Sequence, residues 1–293
     1  MPELMLQTAR TTLSIKGRCA LMGIINCTPD SFSDGGRFMA LEKALTHARD
    51  IIDHGADILD VGGESTRPFS TPVSAEEECR RVIPLIRELR RETNLPISID
   101  TRKASVAKAA IEAGADIIND ISALEDPDML PLCTDTGAAI VLMHMQGTPA
   151  TMQLQPRYSD VVREVSDYLR TKSEQALKSG IAANRIVLDP GIGFGKNLQD
   201  NLKLLANLST LNTLGFPLLL GTSRKKFIRT LSASHKQEPD VLSMEVLAGT
   251  LATSIAGFQS GASILRIHDV AATRSALQVY TAICNAAPSG TFP

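Results

Sequence analysis

Short apolar segments recur along the chain, and each of them ends in a polar or charged residue. The segments span residues 20–25, 58–61, 97–99, 117–118, 139–143, 186–188, 217–220 and 264–265. Short runs of this kind, rich in Ile, Leu and Val, are typical of strands that are buried on both faces. The pattern therefore predicts eight buried strands, each followed by a loop that carries polar side chains.

Amphipathic segments with helical spacing separate these strands. The pattern predicts helices at residues 41–55, 75–92, 103–113, 127–136, 158–179, 198–214, 243–260 and 271–286. Six connections carry a glycine where a helix needs a left-handed terminating residue, and these are Gly55, Gly114, Gly137, Gly180, Gly215 and Gly261. Strands that alternate with helices indicate a parallel sheet. Eight such units favour a closed (β/α)₈ barrel, a TIM barrel in the α/β class, over an open doubly wound sheet, because no strand has the polar character of an edge.

The two ends of the chain differ from this repeating pattern. Residues 1–20 alternate weakly between apolar and polar positions, with Lys16-Gly17 as a turn, and predict a β-hairpin that covers the bottom of the barrel. Residues 21–286 form the barrel, and residues 287–293 are a Pro-, Gly- and Ser-containing tail that we expect to be frayed. The sequence thus predicts a single barrel domain with an N-terminal hairpin.

Composition narrows the possible partners and location. The 293 residues are 43% hydrophobic, and their net charge of -2 gives no reason to expect a nucleic-acid or anionic membrane surface. Five cysteines, widely spaced and without a C-x-x-C pair, argue against a disulfide framework or a structural zinc site. The sequence shows no secretion signal and no apolar run long enough to span a membrane. A small-molecule enzyme of the cytoplasm fits these properties best.

In a parallel barrel, the strand ends meet at one mouth. Asp100, Asn119 and Asp189 would supply hydrogen-bond acceptors there, which suit the edge of a flat heterocycle that carries N–H donors. A second group would suit a phosphate or pyrophosphate, and it consists of Asn26, Arg67, Arg266 and His268. The combination implies a heterocyclic ligand that bears a phosphate group.

Several of these residues also have an ordinary structural interpretation. A single Asp at a strand end is more often a helix cap or a turn former, and Asp60, Asp120 and Asp269 fit that role. Buried His144 and His268, or Met143 and Phe194, could simply belong to the core or its rim. Residues 191–196 resemble a nucleotide-binding loop but lack its first glycine and its Ser/Thr, so the sequence predicts a flexible turn there.

Seven motifs, in order along the chain, resemble the dihydropteroate synthase family from Leu21 to His268. They are NCTPDSFSDGG from Asn26, GESTRP from Gly63, SIDT from Ser98, IINDI from Ile117, LDPGIGFGK from Leu188, GTSRK from Gly221 and RIH from Arg266. The departures are mild: Cys27 stands where many members have Val, and Lys226 occupies a variable position. Seven ordered motifs are far more specific than any one of them.

The resemblance implies a reaction and a set of roles. The family condenses 6-hydroxymethyl-7,8-dihydropterin pyrophosphate with p-aminobenzoate in folate biosynthesis, using Mg²⁺, and sulfonamides mimic p-aminobenzoate. The resemblance implies pterin binding by Asp100, Asn119, Met143, Asp189, Phe194, Gly221 and Lys225. It implies pyrophosphate binding by Asn26, Arg67, Arg266 and His268, with Asn26 also at the metal, and p-aminobenzoate binding by Phe32, Thr66, Pro68 and Ser223. The catalytic residues would be Asp34, Arg67, Asp100 and Lys225.

The same resemblance implies a homodimer and two loops, residues 28–38 and 64–72, that close over the reactants. No covalent nucleophile is needed, because an aromatic amine is already nucleophilic and the enzyme has to orient it and exclude water. Two alternatives stay open at this point. A pterin-dependent methyltransferase would share the pterin contacts without needing the anion site, and a noncatalytic pterin-binding barrel would show no turnover.

Overall fold

A computed structural model of the chain describes residues 5–15, 18–27, 36–65, 70–233 and 237–286. Within these ranges, eight parallel strands form one sheet: β3 (Ala20–Asn26), β4 (Ile58–Gly62), β5 (Ile97–Asp100), β6 (Ile117–Asp120), β7 (Ala139–Met143), β8 (Ile186–Asp189), β9 (Leu219–Leu220) and β10 (Ile264–Ile267). The order across the sheet is β8-β7-β6-β5-β4-β3-β10-β9. A parallel bridge between Leu188 and Leu218 joins the two outer strands. The sheet is therefore a barrel, as the sequence predicts.

The helices follow the strands in alternation. They are α1 (Gly36–Asp53), α2 (Ala75–Glu92), α3 (Ala104–Ala113), α4 (Met129–Thr136), α5 (Val161–Lys178), α6 (Leu198–Ala206), α7 (Leu208–Asn212), α8 (Lys226–Leu231), α9 (Met244–Gln259) and α10 (Val270–Ala286). The single helix predicted over residues 198–214 is wrong, because the helix is interrupted at Asn207, where φ is -117° and ψ is 23°. Helix α8 was not predicted. None of the described helices is long and apolar enough to cross a membrane.

The six glycine joints between helices and strands have the backbone conformation that the sequence predicts. All six have a positive φ, from 73° at Gly137 to 126° at Gly114. This region is accessible to glycine at little cost, whereas a side chain would make it strained. Each joint therefore stops a helix and turns the chain toward the start of the next strand.

The N-terminal hairpin covers one end of the barrel. Strand β1 (Met5–Gln7) pairs antiparallel with β2 (Thr12–Ser14), and the turn lies at residues 8–11, where the Thr8 N–H donates to the Thr11 carbonyl at 2.8 Å. Leu6 and Ile15 pack with inward-facing strand residues such as Met22 and Ile117. The hairpin thus fills the bottom of the barrel interior with apolar side chains. Lys16-Gly17, predicted as a turn, and the tail at residues 287–293 lie outside the described residues.

Candidate active site

The strand ends bring most of the predicted pterin residues to a single cavity at the carboxyl end of the barrel, which we call the mouth cavity. It is lined by Asp100, Asn119, Ile121, Met143, Asp189, Phe194, Gly221, Lys225 and Arg266. The lining includes all seven residues that the resemblance assigns to the pterin, and it adds Arg266 and Ile121. Residues from six different strand ends therefore share one pocket, although 166 positions separate Asp100 from Arg266.

Arg266 is the centre of a buried charge cluster in this cavity. Its Nε donates to Asp60 Oδ2 at 2.6 Å, and its Nη2 donates to Asp100 Oδ2 at 2.7 Å. Asn119 lies beside the pair, with its Nδ2 3.5 Å from Asp60 Oδ2. The interpretation of Asp60 as a turn former is wrong, because the side chain is fully buried and binds an arginine 206 positions away.

Two acceptors in this cluster have no partner. Among the described residues, neither Asp60 Oδ1 nor Asp100 Oδ1 accepts a hydrogen bond. Burial raises the pKa of Asp100 to about 7, against the opposing effect of Arg266, and the charge on Asp60 adds to the increase. The pKa of Arg266 is raised in turn, because Asp60 and Asp100 together outweigh the effect of its burial. Buried acceptors without partners are costly, so they indicate a place where a ligand donates hydrogen bonds.

Asp189 combines a structural role with exposure to the cavity. Its Oδ1 accepts a hydrogen bond from the Gly191 N–H at 2.7 Å, which shapes the turn after β8. The residue is 6% exposed and lines the mouth cavity. Burial raises the pKa of this carboxyl, while Lys225 and the Gly191 N–H act against the increase. A carboxylate with one oxygen engaged by the backbone still offers its second oxygen to a ligand.

Lys225 provides the second cation of the cavity. Its Nζ donates to the Ile192 carbonyl and lies 4.4 Å from the centroid of the Phe194 ring, a cation–π arrangement. Burial lowers the pKa of this amine to about 8, and Asp189 opposes the decrease. The preceding residue, Arg224, has a positive φ of 57° and forms an ion pair with Asp269 at 2.5 Å. This ion pair holds the strained turn from which Lys225 extends into the cavity.

Three other predicted residues lie at the rim. Asn26 ends β3, and an added Cβ at Gly62 would lie 3.9 Å from Asn26 Oδ1 and 3.7 Å from Asp100 Oδ2. The glycine between them therefore leaves open space at the mouth. Ser223 Oγ is 3.0 Å from His268 Nδ1 and accepts a hydrogen bond from the His268 N–H at 3.2 Å. This pair connects the predicted p-aminobenzoate residue with a predicted pyrophosphate residue.

Five predicted residues lie outside the described part of the chain. They are Phe32, Asp34, Thr66, Arg67 and Pro68, and most of the two predicted closing loops lies there with them. Their roles stay predictions. Glu64 and Val73 flank the second of these loops, and the Val73 N–H donates to Glu64 Oε1 at 3.2 Å.

Residues 191–196 form a turn, as predicted, and hydrogen bonds from a buried lysine hold it in place. Lys196 is 2% exposed, and its Nζ donates to the carbonyls of Gly191 and Phe194, both at 3.0 Å. Sequence reasoning missed Asp60, Ile121 and Lys196 as residues of the site or its support. Asp60 interrupts a buried apolar strand, and this break in the pattern was the available signal for it.

Comparison with known proteins agrees with this geometry. The family described as pterin binding enzyme matches residues 22–268. Dihydropteroate synthase from Escherichia coli (strain K12) is 45% identical over 266 residues, which cover 91% of this chain and 92% of that protein.

Two solved structures are similar over almost their whole length. Dihydropteroate synthase from Xanthomonas albilineans with 4-aminobenzoic acid has a TM-score of 0.89 and 45% identity. The match covers 98% of this chain and 100% of the other. The same enzyme in complex with 7,8-dihydropteroate has a TM-score of 0.85 and 43% identity, covering 97% of this chain and 100% of the other. Together with the seven motifs and the strand-end cavity, these likenesses show that the chain belongs to the dihydropteroate synthase family of pterin-binding enzymes.

Proposed function

We propose that the chain, as a transferase of this family, holds the pterin in the mouth cavity and joins its CH₂ group to p-aminobenzoate with loss of pyrophosphate. The observation that carries the proposal is the lining of the cavity, where Asp100 and Asp189 lie beside two cations and Asp100 Oδ1 has no partner among the described residues. The solved relatives whose complexes contain 4-aminobenzoic acid and 7,8-dihydropteroate support it.

The chemistry of the cavity matches a pterin. The ring presents adjacent N–H and amino donors along one edge, and Asp189 offers a carboxylate oxygen to such a pair. Asn119 and Asp100 supply further acceptors, of which Asp100 Oδ1 has no protein partner among the described residues. Met143 and Phe194 provide apolar surface for the ring faces. Lys225 donates toward the ring acceptors from the opposite side.

The reaction needs one bond to form and one to break. The amine nitrogen of p-aminobenzoate attacks the pterin CH₂, the C–O bond to pyrophosphate breaks, and the amine loses a proton. Positive charge that develops on the pterin as pyrophosphate leaves is stabilised by the carboxyl groups of Asp100 and Asp189 in the cavity, with Asp60 next to them. The protein's task is to orient the amine and exclude water, and no covalent intermediate is formed.

Pyrophosphate would bind at the rim, near Asn26 and His268, with Arg266 reaching it from the cavity. Arg67, which lies outside the described residues, would be a further partner. The Nε and Nη2 of Arg266 are already bound to carboxylates, so Nη1 is the group that this proposal assigns to the anion. Ser223, which contacts His268, would place p-aminobenzoate next to the leaving group, together with Phe32, Thr66 and Pro68.

Mg²⁺ fits this rim as a substrate-borne ion. No group of three or more His, Cys, Asp or Glu side chains that could hold a metal occurs among the described residues. Mg²⁺ usually keeps several waters and binds through one or two protein ligands plus substrate phosphates, and the Asn26 amide oxygen at the open mouth suits that mode. When bound, the ion would draw charge from the departing pyrophosphate.

A homodimer is supported by an apolar face on α9 and α10. Exposed residues spaced four apart along α9 are Met244, Ala248, Ala252 and Ala256, and the neighbouring α10 exposes Val279 and Ile283. Apolar surface of this kind on adjacent helices is suited to burial against a second copy. Ala252→Arg should convert the dimer to a monomer in sedimentation experiments.

A cytoplasmic location is proposed from the cysteine content, and all five cysteines are free.

Turnover tests the proposed function directly. Pyrophosphate release from the pterin pyrophosphate should require both p-aminobenzoate and Mg²⁺ and should match the amount of dihydropteroate formed. His268→Ala should weaken binding of pyrophosphate more than binding of a bare pterin, because its contacts are assigned to the leaving group. Methyl transfer without condensation would instead identify a pterin-dependent methyltransferase, and pterin binding without turnover would identify a noncatalytic barrel.

A further inference from the structure

Lys196 is a buried cation whose hydrogen-bond partners are neutral. Its Nζ lies 2.9 Å from His144 Nδ1 and 3.3 Å from the His144 carbonyl, in addition to the carbonyls of Gly191 and Phe194 at 3.0 Å. Burial lowers the pKa of Lys196 to about 7, and burial together with Lys196 lowers the pKa of His144 to about 3. His144 therefore stays neutral and accepts a hydrogen bond. Burying an amine costs free energy, so the presence of Lys196 at this position requires a reason.

These contacts join residues 191–196, which we call the glycine loop, to the segment that follows β7. There is no room between the two backbones for side chains. A Cβ added at Gly191 would lie 1.9 Å from the His144 carbonyl oxygen, and a Cβ added at Gly195 would lie 2.4 Å from the Gln146 carbonyl oxygen. Both glycines also have a positive φ. The glycine loop is thus packed directly on the backbone beneath it, with Lys196 as the central donor.

Side chains of the same segment hold the remaining carbonyls of the glycine loop. Gln153 Nε2 donates to the Gly193 carbonyl at 2.9 Å, and the Tyr158 hydroxyl donates to the Gly195 carbonyl at 2.7 Å. The Gly193 N–H donates to Asn201 Oδ1 at 2.6 Å. The loop is therefore fixed on one side by a set of hydrogen bonds that does not include the mouth cavity.

The other side of the glycine loop supports Lys225. The Ile192 carbonyl accepts the hydrogen bond from Lys225 Nζ, and the Phe194 ring lies against the same ammonium. Between them, a Cβ added at Gly193 would lie 3.0 Å from Lys225 Cδ. Lys225 thus contacts three consecutive residues of the glycine loop. Lys196 donates to the carbonyl of Gly191, just before these three residues, and to the carbonyl of Phe194, the last of them.

We propose that Lys196 is a positioning residue for pterin binding, which acts through the glycine loop to place Lys225 and Phe194 in the mouth cavity. The inference rests on the proposed function, because it presumes that Lys225 contacts the pterin. Without the ammonium, four acceptors lose their shared donor, and among the described residues only the Gly191 carbonyl keeps a hydrogen bond, from the Phe194 N–H at 3.0 Å. Repulsion between the unpaired acceptors then displaces the loop. A displacement of about 1 Å at a binding side chain is enough to lower affinity and rate strongly.

A purely structural role for Lys196 would give a different result from a positioning role. A structural residue lowers the free energy of unfolding and leaves the ligand affinity of the folded protein unchanged. A residue that acts through Lys225 shows coupling, so its effect on affinity disappears when Lys225 can no longer contact the ligand. A double-mutant cycle on pterin affinity therefore separates the two roles.

The cycle uses Lys196→Met, which keeps the apolar stem and removes the donors, together with Lys225→Met and the double variant. Binding of 6-hydroxymethylpterin is measured by calorimetry, and the melting temperature is recorded for each protein. We expect Lys196→Met to weaken binding about 10-fold, and the same change in the Lys225→Met background to weaken it less than about 2-fold, a coupling of ordinary size for connected residues. Lys178→Met, on the exposed end of α5, is the matched control and should change neither quantity.

Each outcome has one meaning. A 10-fold loss in both backgrounds, or unchanged affinity in a folded Lys196→Met protein, overturns the inference. If Lys225→Met alone leaves pterin affinity unchanged, the proposed pterin site fails instead. If Lys196→Met does not fold, Tyr158→Phe replaces it, since it removes one hydrogen bond to the same loop with little change in volume. Its smaller loss of affinity should also vanish with Lys225→Met, and an additive loss would overturn the inference.

Discussion

Aspartates lie at both ends of the barrel, but their hydrogen-bond partners differ. At the bottom, Asp57 and Asp116 each follow a Gly-Ala pair just before a strand and are surrounded by donors. At the mouth, Asp60 and Asp100 lie within or at the end of a strand, and each keeps one oxygen without a partner among the described residues. The comparison separates aspartates that stabilise the fold from aspartates that are available to bind a ligand.

The bottom aspartates are fully used by the protein. Asp116 accepts from Arg90 Nη2 at 2.5 Å, from the Ile97 N–H at 2.9 Å and from Arg10 Nη1 at 3.3 Å. Asp57 repeats the arrangement, with the Leu21 N–H at 2.8 Å and two arginines as donors. In both cases a carboxylate connects the start of one strand to the neighbouring strand. Both oxygens of each carboxylate are therefore engaged by the protein, and neither atom is left without a donor.

The mouth aspartates are only partly compensated. Arg266 donates to both Asp60 and Asp100, Asn119 adds a long hydrogen bond to Asp60, and the backbone uses one oxygen of Asp189. Proteins rarely leave buried acceptors unpaired without a reason, and the cost is recovered when a ligand supplies the missing donors. The unpaired acceptors at the mouth therefore lower the stability of the protein and raise its affinity for a ligand. Substitutions at the mouth should change mainly ligand affinity, and substitutions at the bottom should change mainly the free energy of unfolding.

The largest effect is expected for Asp189→Asn. Asparagine keeps an oxygen for the Gly191 N–H but turns an NH₂ donor toward the donors of the pterin edge. Losing a charged acceptor in this way should cost about 2 to 4 kcal/mol, or roughly 30-fold to 1,000-fold in pterin affinity. Calorimetry gives the affinity, and the melting temperature of the same protein should change little.

Asp120→Asn is the matched control for this prediction. Asp120 also ends a buried strand, but its oxygens accept from the N–H groups of Ser122 at 2.8 Å and Leu124 at 2.7 Å, which makes it the turn former that the sequence predicts. This variant should lose stability and keep its pterin affinity. Unchanged affinity in folded Asp189→Asn would remove Asp189 from the binding site.

A smaller effect, on stability alone, is expected at the bottom of the barrel. Asp116→Asn replaces the charged partner of two arginines and leaves one of the three donors without an acceptor, which should cost about 1 to 3 kcal/mol in the free energy of unfolding. Urea denaturation measures this loss, and pterin affinity should stay at the wild-type value.

The exposed Asp167 provides the comparison for Asp116. It pairs with Arg170 at 2.6 Å on the surface of α5, where both side chains are about half exposed, 50% and 51%. Asp167→Asn should therefore change stability by less than about 1 kcal/mol. A fall in pterin affinity in Asp116→Asn would contradict the division between the two ends.

Asp100 should also make the stability of the mouth depend on pH. Burial raises the pKa of this carboxyl from 3.8 to about 7, so the folded protein binds its proton more tightly than the unfolded chain does. The resulting stabilisation is complete below about pH 4 and is lost as pH rises toward 7. The stability of Asp100→Asn relative to wild type should therefore increase over this range, by at most the linkage of one proton. Denaturation at several pH values measures it, and a constant difference would place Asp100 in a more polar environment.

Much of this architecture follows from local patterns in the sequence. Buried strands, amphipathic helices and glycine joints depend on residues a few positions apart, and their period and chemistry are visible without tertiary contacts. The prediction that strand ends meet at one mouth also follows from the parallel arrangement alone. This is why the sequence predicts both the barrel and the residues that line the mouth cavity.

Tertiary structure decided which polar residues act together. The sequence alone predicts a turn former at Asp60, whereas the folded chain pairs Asp60 with Arg266, 206 positions away. The sequence likewise predicts a flexible turn around Lys196, whereas the folded chain bonds Lys196 to His144 in the segment after β7. The break between α6 and α7 likewise has no strong local signal. The chemical role of a buried polar side chain depends on which donors and acceptors the fold brings to it, and those partners come from distant parts of the chain. The sequence by itself determines where polar groups occur, whereas only the folded chain determines whether they are satisfied by the protein or left for a ligand.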